Sequence, residues 1–485
     1  MACGTPGARE PVGVIPDVIV DGIAAGFIME NNFLECIVAY ARVSTLKIKY
    51  FISGYNSDSG VNKKSFSQVS ELSRLGLDIE LILVSVEDAH YPSYDFLTTY
   101  RVDNVPKGDF FGWLKCSRKI SKVFGETIES LGPDDILYTR YSIPFPLYYP
   151  SKYLKRFRTC KIVIEHQAKE IDEFKLNGKN LPYWSEYIFG KFFREQSDAI
   201  VGVTNEITQY EIARAGDPEK PHLTIGNGFA VQSVPVREAP HYTDNDLHLL
   251  CVASVSRWHG LDRLLQGLAT YNGTPKVTLH IAGDGAELPH LQKLAGDLGI
   301  SDRVVFRGFT TGKVLDALFD QCHIAVGSLG IHRIGLKEAS VLKARDYCAR
   351  GIPFIYGIPD PDFPADFPYI FHLPADESPI DIEQIRAFAK MVCADPDHPQ
   401  KIRRYAEEHL DWSVKMKKLK DFLETLVGEG EDNNPPEPGM SPLAGKGLKV
   451  PVGTALSGAG QGVSVHHLQG CQENGDAGPG EKMPE

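Results

Sequence analysis

Glu338 and Asp346 are the residues of this chain whose types and spacing most suggest chemistry on a charged ligand. Seven residues lie between them. Glu338 falls in a loop and Asp346 about two turns further on, inside a short helix, so the two carboxylates can share one side of it. Ser340, between them, is a good N-cap residue. The backbone N–H groups of Ala339, Ser340, Val341 and Leu342, in the first turn, have no intrahelical partner and could hold a phosphate at the positive end of the helix. The same two acids also suit a buried strand-to-helix crossover with a surface Glu and a helix-stabilising Asp. The flanking sequence has to decide between these readings.

The stretch Gly327–Tyr356 reads as a strand end, a loop, a short helix and a buried strand. Val341, Leu342, Ala344, Tyr347, Cys348 and Ala349 form an apolar face. Gly351 stops the helix, and Pro353 starts the strand IPFIY. Upstream, LHLLCVASV, KVTLHIAGDG, RVVFRGF and HIAVGS alternate with amphipathic helices, which implies a parallel sheet covered on both faces. The first half repeats the design. KIKYFIS, DIELILVS, DILYT, KIVIE and SDAIVGVT read as strands, and the first βαβ unit favours a parallel sheet. KIVIE delivers Glu165, His166 and Gln167 to a strand's carboxyl end, where ligands bind in open α/β sheets. His166 suits a hydrogen bond to a sugar hydroxyl, or a structural role. Arg140 and Tyr141 end the preceding strand in the same way. The loop after the first strand carries Gly54, Ser59 and Gly60 at a helix start, small enough for a ligand's close approach. It has neither a GxGxxG fingerprint nor a Walker pattern.

The totals exclude several classes. The 485 residues are 42% hydrophobic and 24% charged, ordinary for a globular chain of two to four domains. A net charge of −12 argues against bulk-charge binding to nucleic acid. Nine cysteines, with no CxxC pair and no zinc spacing, read as thiols of a reducing compartment. No apolar run approaches ~18 residues, so no transmembrane helix is expected. The N-terminus lacks a basic region followed by an apolar core, so no signal peptide is expected either. Residues 1–45 are assigned no function. The organisation is then a first domain over 46–229, a polar linker over 230–246, a second domain over 247–405, an amphipathic helix over 406–427 and a disordered tail over 428–485. A basic amphipathic helix, Trp113–Phe124, with Lys115, Arg118, Lys119 and Lys122, reads either as a solvated face or as a contact for an anionic membrane.

In its order of motifs the chain resembles glycosyltransferase family 4. The segments carrying the resemblance are Trp258-His259-Gly260, IAGDG with Gly283, VVFRGF, the acids Glu338 and Asp346, and Gly351-Ile352-Pro353. Asn227-Gly228 looks like the family's Ile-x-Asn-Gly exit from the first domain, and the likeness runs over roughly residues 47–425. It implies an α/β GT-B fold, two Rossmann-like parallel-sheet domains facing across a cleft. It also implies a retaining transferase that uses a nucleoside-diphosphate sugar and needs no metal or other cofactor. Glu338 would sit against the donor sugar, Asp346 against the ribose, and the amides of Ala339, Ser340, Val341 and Leu342 against the diphosphate. His166 would lie near the donor sugar. Arg140, Gly54, Ser59 and Gly60 would lie on the acceptor side. The chain departs from the pattern at Asp346, where the family has Glu. Ala253 stands where it has a phosphate-binding arginine, and His259, a pH-dependent cation, where it has lysine. Arg257, and Lys343 or Arg345 from the helix, are then candidates for the missing charge. This variant resembles bacterial polysaccharide enzymes. The implied acceptor is a glycan or lipid-linked glycan, and the implied location is the cytoplasm, at the inner face of the plasma membrane. A degenerate sugar-nucleotide or glycan-binding subunit is the alternative.

Overall fold

The computed structural model describes residues 46–53, 60–85, 94–102, 110–142, 151–176 and 180–428. The expected N-terminal extension, the loop residues Gly54 and Ser59, and all of the expected tail after Gly428 lie outside them.

Apolar strands bracketed by amphipathic helices build a first sheet. Its elements are β1 (Lys47–Ser53), α1 (Gly60–Arg74), β2 (Asp78–Ser85), β3 (Leu97–Arg101), α2 (Phe110–Glu129), β4 (Ile136–Arg140), β5 (Lys161–His166), α3 (Glu170–Leu176), α4 (Asn180–Gln196), β6 (Ala199–Gly202), α5 (Asn205–Ala215) and β7 (His222–Thr224). The strand order is β3-β2-β1-β4-β5-β6-β7, and every pairing is parallel. The order reverses between β1 and β4, which opens a crevice at their carboxyl ends.

The second sheet repeats the plan. It comprises β8 (Asp246–Val252), α6 (Leu261–Thr270), β9 (Lys276–Ala282), α7 (Leu288–Asp297), β10 (Val304–Gly308), α8 (Gly312–Gln321), β11 (Ile324–Val326), α9 (Leu342–Arg350), β12 (Phe354–Tyr356) and β13 (Ile370–His372). The order β10-β9-β8-β11-β12-β13, again all parallel, puts its crevice between β8 and β11. Helices α10 (Ile382–Cys393), α11 (His398–Tyr405) and α12 (Trp412–Gly428) follow. Two doubly wound parallel sheets of this order make the GT-B fold.

The amphipathic stretch 406–426 is not one helix. Ala406–Leu410 is a π turn, and α12 begins only at Trp412. Asp411 makes the break, because its carboxylate accepts the N–H groups of Ser413 (2.9 Å) and Val231 (3.0 Å). The side-chain oxygen replaces the helical partner that these amides lack. Trp412, Met416, Leu419, Leu423 and Leu426 then bury against Ile48, Val69 and Leu72 of the first sheet's layer.

The chain therefore passes between the halves twice, and the two passages are bonded to each other. Phe229 donates to the Leu410 carbonyl at 2.9 Å, and Trp412 donates to the Phe229 carbonyl at 3.1 Å. The stretch read as a polar linker is largely tied to the second half. The Arg237 guanidinium is buried and donates to the carbonyls of Gly351 (3.2 Å) and Cys322.

A buried charge cluster locks this joint. Arg345 is wholly buried and pairs with Asp360 and Asp362, while its Nε donates to the Asn227 carbonyl at 2.9 Å. Lys415 of α12 pairs with the same Asp362. Exit loop, second sheet and returning helix thus meet on one guanidinium.

Candidate active site

The carboxyl ends of the two sheets enclose a cavity of about 250 Å³. Arg140, Gln167, Ala168 and Glu173 line it from the first half. Trp258, Ile331, Ile334, Leu336 and Glu338–Val341 line it from the second. Four residues of the segment flagged in the sequence, Glu338, Ala339, Ser340 and Val341, are therefore cavity wall, with Arg140 opposite.

Glu338 is held by an exchange of backbone amides with the start of α5. Its carboxylate accepts the Glu206 N–H at 3.3 Å. The Glu206 carboxylate accepts the N–H groups of Glu338 (3.0 Å) and Lys337 (2.7 Å). Lys169 pairs with Glu206 at 2.5 Å. Burial alone would raise the Glu206 pKa, but the Lys169 ammonium and the two amides hold it below the usual carboxylate range.

Ser340 does not cap α9. Val341 is the N-cap residue, and no side chain caps the helix. The Ser340 hydroxyl is instead the acceptor for the Asn227 N–H (2.7 Å), and the Asn227 side-chain amide donates to the Ser340 carbonyl. Ala339 donates its N–H to the Pro359 carbonyl at 3.1 Å. That leaves the amides of Ser340, Val341 and Leu342 as the open ones of the four expected.

Lys343 is the second residue of the helix, and it stands behind the cavity wall rather than on it. Its Nζ is buried and has no hydrogen-bond partner. The groups that feel its charge are Cys251, near the carboxyl end of β8, and His259, in the loop after β8. Burial lowers the Lys343 pKa. His259 cannot serve as a cation. Burial, helped by the Lys343 charge, pushes it down to about 2, and its Nδ1 accepts the Ser256 N–H at 3.0 Å. A neutral imidazole is the form that can accept that bond. Arg257 is exposed. Its loop is pinned at Gly260, whose φ of +63° and close approach to the Gly330 nitrogen (2.7 Å from a built Cβ) leave no room for a side chain. Gly283 serves the same packing, lying against the Ala253 carbonyl with φ +137°.

Asp346 is not part of the cavity wall. Its carboxylate accepts from Arg350 at 2.8 Å, and Arg350 also pairs with Asp316 at 2.6 Å. Burial raises the Asp346 pKa, and the Arg350 charge opposes that rise.

His166 also lies off the wall, fully buried and stacked on Tyr141 with 4.5 Å between ring centroids. Burial drives its pKa down to about 4. Its Nδ1 lies 3.3 Å from Glu170 and 3.4 Å from Glu211, and burial raises both carboxyls to about 7. These three residues have metal-ligand types, with ligand atoms within 4.8 Å of one another. The Arg194 guanidinium, however, already pairs with Glu170 and Glu211, so the cluster's negative charge is met from within.

The cluster that sequence reasoning missed sits beside Arg140. Lys64 of α1 pairs with Glu165 at 2.5 Å, and Tyr50 (3.1 Å) and Gln167 (2.6 Å) donate to the same carboxylate. Burial lowers Lys64 to about 8. In Glu165, burial is outweighed by Lys64 and Arg140, which hold the carboxyl low. Glu165 was marked by its place at a strand end. Lys64 lies on an amphipathic helix, where a lysine is ordinary.

The depressed histidines set a stability prediction. His280 and His323, both lowered by burial to about 4, and His259, at about 2, take up protons more readily in the unfolded chain. Their contribution is intact above the unfolded pKa near 6.5 and is lost as pH falls toward the folded values. Urea melts at descending pH are expected to show a loss of about 1 kcal/mol for each of the three by pH 5. A flat profile would contradict the neutral assignment.

The comparisons with known proteins bear on this geometry. Residues 237–355 match the family model described as glycosyl transferases group 1. The chain is a glycosyltransferase. Among solved structures, sucrose-phosphate synthase from Thermosynechococcus elongatus superposes with a TM-score of 0.59 at 15% identity, over 79% of this chain and 100% of that one. The lipopolysaccharide outer core galactosyltransferase WaaB gives 0.55 at 17%, over 78% and 99%. Anabaena HepE, solved in complex with UDP, gives 0.53 at 14%, over 78% and 100%. At these identities the likeness establishes the fold of the glycosyltransferase. No curated protein sequence matches the chain.

Proposed function

We propose that this glycosyltransferase moves a sugar from a nucleoside diphosphate to a glycan or lipid-linked acceptor, with retention of anomeric configuration, as a family 4 enzyme of bacterial polysaccharide biosynthesis. The observation that carries the donor assignment is Lys343, a buried ammonium without a partner at the start of α9. A buried charge is costly until it is paired. A diphosphate would supply the pair, and the open amides of Ser340, Val341 and Leu342 would add donors at the positive end of the helix.

Charge builds on the leaving diphosphate as the anomeric C–O bond breaks. Lys343 and these amides meet that charge without a metal ion. Glu338, on the cavity wall, holds the donor sugar by its hydroxyls. The acceptor enters from the Arg140 side. No protein nucleophile is needed when the acceptor attacks on the face the diphosphate leaves. Closing the cavity keeps water off the donor. The protein works in the cytoplasm, at the inner face of the plasma membrane.

The test is turnover of nucleotide sugars with lipid and glycan extracts as acceptors, comparing wild type with Glu338→Gln. Glutamine still accepts the Glu206 N–H, so the fold is kept while the carboxylate charge is lost. Transfer should fall about 100-fold or more. Unchanged turnover would remove Glu338 from the donor site. The Arg350–Asp346–Asp316 chain favours a second reading, a binding subunit, because it occupies the acid meant for the ribose. That reading requires sugar-nucleotide or glycan binding with no turnover by wild type.

A further inference from the structure

Helix α4 is amphipathic in the wrong sense for a water-facing helix. Its buried residues are Ser185, Glu186, Gly190, Phe193 and Arg194. Its exposed stripe is Leu181, Trp184, Tyr187, Ile188 and Phe192, and Trp184, Tyr187 and Ile188 are 55–61% exposed. Glu186 and Arg194 turn inward because they belong to the buried cluster around His166, while Lys191 and Glu195 pair with each other on the outer side. Water is therefore left against an apolar stripe from Leu181 to Phe192, bordered at its carboxyl end by the Lys191–Glu195 pair, which marks an interaction surface.

The neighbours of this face are basic. Tyr153, in the turns that follow β4, packs on Phe193 of α4 (5.3 Å between rings) and on Phe124 of α2 (6.2 Å). The buried sides of α2, the turn and α4 share one core layer over the first sheet, so their outer faces lie on the same side of it. On that side α2 exposes Phe111, Lys115, Arg118, Lys119 and Lys122. The turn exposes Phe157, with the Arg156 guanidinium 4.5 Å over its ring. A chain of net charge −12 thus gathers cations beside this helix, of which Lys122 pairs with Glu126 at 3.6 Å.

We infer that this side of the first half docks on an anionic lipid bilayer, with Trp184, Tyr187, Ile188 and Phe192 in the headgroup–acyl boundary and the α2 lysines and arginine on the lipid phosphates. Trp and Tyr rings suit that boundary, having an apolar body and a polar edge. Flanking basic residues supply the local attraction that the net charge denies. Among the described residues no helix is long and apolar enough to cross a membrane, so the contact is interfacial. The inference deepens the transferase reading. Helix α3, which packs on α4, carries Glu173 of the cavity wall, so an acceptor held in the bilayer would lie beside the cleft.

The experiment is co-sedimentation of the full chain with vesicles of phosphatidylcholine alone and of phosphatidylcholine mixed with phosphatidylglycerol. Three proteins are compared: wild type, Trp184→Ser combined with Ile188→Ser, and Arg118→Glu combined with Lys119→Glu. All these side chains are exposed, and thermal melts check that folding is unaffected. Wild type should partition onto the anionic vesicles and be released by salt. Either double variant should lose about ten-fold or more in partition while keeping the wild-type melting response to nucleotide. That response separates failure at the membrane face from failure of the donor reading. No wild-type binding to anionic vesicles at low salt would overturn the inference. So would a vesicle-free dimer that the Trp184→Ser, Ile188→Ser pair dissolves, because the occupant would then be a second copy of the chain.

Discussion

Lys343→Met is expected to make the protein more stable and useless as a transferase. The Lys343 ammonium is buried without a partner, and its pKa is lowered by that burial. Methionine keeps the volume and removes the charge. With no nucleotide present the variant should gain about 1–3 kcal/mol against urea. With nucleotide it should gain nothing further, whereas wild type at about 100 times the dissociation constant should gain about 2.7 kcal/mol. Transfer should drop at least about 100-fold, the scale for losing a charged group from a transition-state site. The opposite signs of the two effects make the prediction specific. A residue that merely packs would lower both stability and activity, or neither.

Arg345→Ala is expected to be the most damaging single change at the joint. It would leave Asp360, which is 4% exposed, without its main partner and free the carbonyl of Asn227. Breaking one side of a fully buried ion pair costs about 3–5 kcal/mol. The pairing of Lys415 with Asp362 survives, so α12 should stay docked on the first sheet. The loss should appear as a lower urea midpoint, with the second half unfolding first. Hydrogen exchange at Asn227 and along α9 reports it directly. A change below about 1 kcal/mol would mean that the cluster is not what holds the exit loop.

The two effects show what local sequence could reveal. The alternation of apolar strands with amphipathic helices encodes both sheets, because a parallel strand buried on both faces needs a continuous apolar run. Glu338 was readable as a loop acid beside a helix start, and it lines the cavity, although the Ser340 cap read with it is absent. Asp346 was readable only as an acid in a helix. The residue that occupies it, Arg350, lies four positions on, the spacing at which side chains meet on one face. That local signal was present and outweighed by the motif.

His259 and His166 are different cases. The neutrality of His259 depends on burial and on Lys343, which arrives from another strand crossing. The burial of His166 depends on Arg194 and Glu211, brought by α4 and α5. Nothing adjacent to either histidine announces this. The inverted stripe of α4 was legible in its spacing, yet the apolar face would ordinarily be taken as the core side. Only the buried Glu186 and Arg194 reverse that reading.

The measurement that bears most directly on the donor site is calorimetric titration of wild type and Lys343→Met with the common nucleoside diphosphates and their sugars. One nucleotide series should bind wild type with exothermic saturation, and its affinity should collapse in Lys343→Met while the variant remains folded. Equal binding by both proteins, or no binding of any diphosphate by folded wild type, would contradict the assignment of the buried lysine and the start of α9 as the site of the donor's phosphates.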